Sequence, residues 1–201
     1  MEIRLLRPGL LGVVLACLLL PAAQAQAQSQ ARVERVGDAI VFDGRIHGGS
    51  ADAFLALLQQ PGVRRLVITS QGGLVQAALD MADAIHAIGL DVEVPHACHS
   101  SCANYIVPAA RSTTLAAPGV LSWHGNMAHV VSLHQSGEQP LGDSVLAEAR
   151  RLARREADFF RRIGVDGFLC WFAKLPPFNV ADAFTLSAAD MQRFGVRNVH
   201  V

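Results

Sequence analysis

Hydrophobic and polar positions alternate between two periods along this chain. "DAIVFDGRI" (38–46) reads as a strand, and "SADAFLALLQQ" (50–60) as a short helix capped by Ser50 and closed by Pro61 and Gly62. "RRLVITS" (64–70) is a second strand. In "GGLVQAALDMADAIHAIG" (72–89), Leu74, Ala77, Ala78, Met81, Ile85 and Ile88 share one helical face, and Gly89 is the stop. "LDVEVP" (90–95) and "GVLSWH" (119–124) are further strands, with "SSCANYIVPAA" (100–110) between them as a turn into a buried helix. A polar loop is expected over 125–143, a long charged helix over 144–164, and a helix and last strand over 186–201. Strand and helix periods that alternate this often predict an α/β domain with a largely parallel sheet.

The N-terminus breaks this pattern. Arg4 and Arg7 precede an apolar run, and the small residues Ala23 and Ala25 follow it. Residues 1–25 read as an export signal, 26–32 as a flexible leader, and 33–201 as one domain. The expected location is therefore the periplasm. Lipid anchoring through Cys17 ranks second, because the apolar run continues past that cysteine. No later segment reads as a membrane span. A hydrophobic fraction of 51% suffices for a real core. Losing the signal removes two arginines and one glutamate from a chain with 17 basic and 17 acidic residues. The remainder is close to neutral, which gives no electrostatic basis for nucleic-acid binding.

Three features sit at strand ends, where sites form in open α/β sheets. The diglycine Gly72–Gly73 offers backbone N–H groups at a helix N-terminus, though a tight turn needs glycine equally. Ser101 follows a strand and opens a helix, so its hydroxyl is either a nucleophile or an N-cap; Ser100 competes for both roles. His124 ends a strand and is either a general base or a hydrogen-bonded, half-buried histidine. Together they are the parts of an acyl-transfer site.

The stretches carrying these residues, "ITSQGGLVQAALDMADAI", "VPHACHSSCANYIVPAARST" and "GVLSWHGN", resemble the Clp protease proteolytic subunit of the ClpP/crotonase superfamily, and more closely exported ClpP-like proteins. The resemblance implies a ββα spiral fold with a long helix in the C-terminal half, which would pack subunits into a homo-oligomer. It implies Ser101 as nucleophile, His124 as base and Asp182 as third member of a triad. The amides of Gly72 and Cys102 would form an oxyanion hole, with Gly73 supporting the loop. The separation of Gly72 from Ser101 fits the family without a gap, which favours Ser101 over Ser100. In "DAFTLSA" Thr185 is an extra residue beside the family pattern, so Asp190 competes with Asp182. Gln71 also stands where the family has proline, and Pro108-Ala109-Ala110 where it has Thr-Ala-Gly.

The cysteines Cys98, Cys102 and Cys170 follow the signal. In an oxidising compartment a Cys98–Cys102 bridge is expected, fixing the nucleophile turn and leaving Cys170 free. Two buried thiols are the plainer alternative. Structural zinc usually draws ligand pairs from two chain segments, and only one such segment is present, so no metal is assigned. The expected activity is that of an ATP-independent serine peptidase without cofactor or ATPase partner, acting on peptide or protein. A non-catalytic ClpP-like binding module is the alternative, and crotonase-like acyl-CoA chemistry ranks third.

Overall fold

The computed structural model describes residues 31–201. The expected signal, Cys17 and residues 26–30 of the expected leader lie outside the described residues. Strand β1 (Arg32–Val36) turns through Gly37, in the left-handed region at φ 63°, into β2 (Ala39–Asp43). Arg32 already pairs with Asp43, so the sheet begins inside the expected leader. Here a hairpin stands where the alternation predicts one strand.

β1 is the antiparallel edge of a six-stranded sheet. The other pairs are parallel, in the order β2, β3 (Arg65–Thr69), β4 (Asp91–Val94), β6 (Thr113–Leu115) and β8 (Val199–His200). Parallel strands need crossovers, and helices α1 (Gly48–Leu58) and α2 (Val75–Ile88) supply the first two. Leu66, Ile68, Val92 and Val94 are buried, as expected of strands covered by helices. The α/β class with a largely parallel sheet is therefore as the periodicity predicts.

The helix ends differ in detail. α1 is capped by His47, not Ser50. The His47 ring accepts the Ser50 N–H while the Ser50 hydroxyl accepts the His47 N–H, so Ser50 serves as the third residue of a capping box. α2 stops at Gly89 (φ 65°) as expected, and Ala77, Ala78, Met81 and Ile85 are buried. Leu74 and Ile88, at its two ends, are exposed.

Two short parallel strands, β5 (Ala97–His99) and β7 (Val120–Ser122), form a second sheet. A Ser70↔Cys98 bridge joins it to the end of β3. The carboxyl ends of β3, β5 and β7 thus lie side by side. α3 leaves β5 as a π-helical stretch (Cys102–Ile106) running into Val107–Ala109, and every residue of it is buried. The Val107 N–H reaches back five residues to the Cys102 carbonyl, and Pro108 has no N–H to give.

The expected polar loop contains α4 (Met127–Gln135), started by the Asn126 side chain, which accepts the His129 N–H at 3.1 Å. The long helix α5 (Asp143–Ile163) follows and packs beside α2, where Arg155 reaches Asp80 at 2.7 Å and Asp83 at 3.1 Å. α6 (Ala188–Arg193), capped by Ser187, precedes β8. Among the described residues no helix is long and apolar enough to cross a membrane.

Candidate active site

The turn after β5 carries the first unusual backbone. Ser100 has φ 55°, a left-handed conformation uncommon for a residue with a Cβ. It is held from two sides: its N–H donates to the Ser122 carbonyl at 3.0 Å, and its carbonyl accepts the Asn104 N–H at 2.8 Å. The His99 ring and the Ser122 hydroxyl are hydrogen-bonded beside it, tying the ends of β5 and β7 together. A serine at a sharp strand-to-helix turn projects its hydroxyl into the cleft beyond the sheet.

The structure brings His124 to Ser100, not to Ser101. The His124 Nε2 lies 2.7 Å from the Ser100 Oγ. Ser101 is 2% exposed and faces the diglycine loop. Its Oγ accepts the Gly73 N–H at 2.7 Å and donates to the Gly73 carbonyl at 3.3 Å. The reason is local: with Ser100 left-handed, Ser101 becomes the first helical residue and its side chain turns inward (φ −60°, ψ −23°).

The diglycine loop packs directly on this turn. Gly72 has φ 80°, and a Cβ there would lie 2.6 Å from the His99 carbonyl oxygen and 2.9 Å from the Ser101 nitrogen. Gly73 is bridged to Ile46, leaving no room for a side chain. Both amides are engaged within the protein, since the Gly72 N–H donates to the Ser70 hydroxyl at 3.0 Å and the Gly73 N–H to Ser101. The N–H groups of Ser101 and Cys102 open α3, where no carbonyl of the helix can reach them. They lie next to the serine that His124 contacts.

Cys98 and Cys102 are joined by a disulfide, with Cα atoms 5.2 Å apart, inside the usual range. It spans the turn that contains Ser100 and Ser101, and both cysteines are buried. Cys170 is a buried free thiol whose pKa burial pushes well up, so it behaves as a small apolar residue.

A cleft of about 630 Å³ opens over the turn; Ser100, His124, His129, Lys174 and Asp182 line it. Asp182 shares this cleft, but neither it nor any other carboxylate among the described residues hydrogen-bonds His124. Trp123 and Phe184 exchange both backbone hydrogen bonds at 2.9 Å, and continuing that antiparallel register sets Ala183 opposite His124. The Asp182 carbonyl instead accepts from the Lys174 ammonium, as does that of Ala181 at 2.8 Å. Asp190 hydrogen-bonds the Ser187 hydroxyl at 2.7 Å and pairs with Arg193 at 3.0 Å, as part of the start of α6.

Asn104, His129 and Lys174 are among the cleft residues that escape the sequence reading. Asn104, on α3, donates to the Gly125 carbonyl at 2.9 Å and so holds the residue after His124. His129 stacks on Trp171 with ring centroids 5.3 Å apart. Its pKa is lowered, first by burial and then by the Lys174 charge. Only its place inside an unrecognised helix hid it. No protein-family model matches this chain, and no curated protein matches it either.

Proposed function

We propose that this chain is an exported serine hydrolase of the ClpP-like kind, a peptidase in which Ser100 is the nucleophile and His124 its base. The observation that carries this reading is the 2.7 Å contact of the His124 Nε2 with the Ser100 Oγ, at a left-handed turn between strand and helix. On this reading the nucleophile stands one residue before Ser101. With the second ring nitrogen protonated, Nε2 accepts the Ser100 hydroxyl proton as Oγ attacks the substrate carbonyl carbon. The amide nitrogen then leaves with that proton, and an acyl-enzyme forms on Ser100. Water, deprotonated by His124, releases the acid. On this reading the N–H groups at the start of α3, those of Ser101 and Cys102, would stabilise the developing oxyanion, the role sequence reasoning gives to Gly72 and Cys102. The Cys98–Cys102 bridge supports placement in an oxidising compartment.

One observation favours the non-catalytic alternative: among the described residues no carboxylate hydrogen-bonds His124. A fluorophosphonate probe decides between them. Covalent labelling of the wild type that is lost in both Ser100→Ala and His124→Ala supports the hydrolase. A wild type that stays unlabelled supports the binding module, and labelling lost in Ser101→Ala alone returns the nucleophile to Ser101.

A further inference from the structure

Glu156 occupies the apolar face of α5. Leu146, Ala149, Leu152, Phe159 and Phe160 form the rest of that buried stripe, and Glu156 itself is only 1% exposed. No arginine or lysine pairs with it among the described residues. Its partners are the Tyr105 hydroxyl, the Met127 N–H at 3.0 Å and the Ala128 N–H at 3.2 Å. Burial raises its pKa, and these three bonds oppose the rise. A hydrophobic side chain would fill the same space without desolvating a carboxylate.

The partners belong to the two elements that meet at the site. Tyr105, fully buried, is on α3, the helix that starts beside Ser100. Met127 and Ala128 open α4, three and four residues after His124. Asn104, next to Tyr105, holds the intervening Gly125. We propose that Glu156 is a positioning residue for the Ser100–His124 pair, tying the helix after the nucleophile to the loop after the base. This inference rests on the hydrolase reading above. A carboxylate is suited to the task because it accepts from three donors at once, on two oxygens.

Helix capping alone would also use the two amide bonds, so the test separates the phenol link from the cap. Tyr105→Phe keeps both amide partners and removes only the link to α3. Glu156→Gln keeps the volume and one carbonyl acceptor, and Glu156→Leu removes every bond. Fluorophosphonate modification at saturating probe should slow by up to about 10²-fold in Tyr105→Phe, the scale of a small misplacement of reacting groups, with little change in half-saturating probe concentration. Glu156→Gln should retain more of the rate than Glu156→Leu. The imidazole 15N resonances of His124, read in the same variants, should shift in Tyr105→Phe. If Tyr105→Phe lowers only the melting temperature, leaving the modification rate and His124 resonances as in wild type, Glu156 is only a cap and the proposal falls. If the wild type does not react with the probe, the hydrolase reading fails, and the His124 resonances still decide whether Glu156 sets that ring. Should the Glu156 variants not fold, Tyr105→Phe alone carries the test.

Discussion

Replacing Ser101 by alanine separates the two adjacent serines by their energetics. Ser101 is 2% exposed, and its hydroxyl serves both polar groups of Gly73, accepting at 2.7 Å and donating at 3.3 Å. Its loss leaves a donor and an acceptor of the diglycine loop without their partner. A buried group so stranded costs about 1–3 kcal/mol. Gly73 is half-buried, so water can reach part of it, and the lower half of that range, about 1–2 kcal/mol, is expected. For a domain of this size that is a fall in melting temperature of roughly 2–8 °C. Covalent labelling should survive, because the contact between His124 and Ser100 does not involve Ser101. Ser100→Ala should behave oppositely, with labelling abolished and melting almost unchanged. Differential scanning fluorimetry and gel-based fluorophosphonate labelling on the same preparations read both quantities. If Ser101→Ala melts like the wild type and fails to label, the assignment of a structural role to Ser101 is refuted.

Gly72→Ala should cost about 1–2 kcal/mol from the left-handed backbone alone. Its Cβ would also push on the His99 carbonyl and the Ser101 nitrogen, so kcat/KM on a peptide reporter should fall by about 10²-fold. The Cys98–Cys102 bridge closes a very short loop, so replacing both cysteines by alanine should cost about 2 kcal/mol, measured by urea denaturation. Thiol alkylation of the denatured, unreduced protein should label Cys170 alone among Cys98, Cys102 and Cys170. His129 has a folded pKa below its ordinary 6.5, so the unfolded chain binds its proton more readily. Its contribution to stability is present above about pH 6.5 and is lost as pH falls through the folded value. Melting curves from pH 7.5 to 5 should therefore fall less steeply for His129→Gln than for the wild type.

Period and punctuation in the sequence already determine the α/β class, the parallel sheet, the stop at Gly89 and the placing of glycine, serine and histidine at strand ends. These are local properties: a buried strand reads as apolar wherever it lies, and a left-handed stop needs glycine in any fold. The Cys98–Cys102 bridge is legible for the same reason, since both cysteines lie in one turn. Which of Ser100 and Ser101 meets His124 is not a local property. It depends on φ at Ser100, which β7 imposes through the Ser122 carbonyl, and on the diglycine loop, which claims the Ser101 hydroxyl. The position of Asp182 is likewise set by a distant partner, because Trp123 fixes the register of Phe184 two residues away. α4 was hidden in polar sequence, since its N-terminus is completed by Asn126 and by Glu156 from another helix. Glu156 left one trace, a carboxylate inside the apolar stripe of α5. Only tertiary structure could say what that carboxylate accepts, because its donors, Tyr105, Met127 and Ala128, are far from it in the chain and are brought to it by packing.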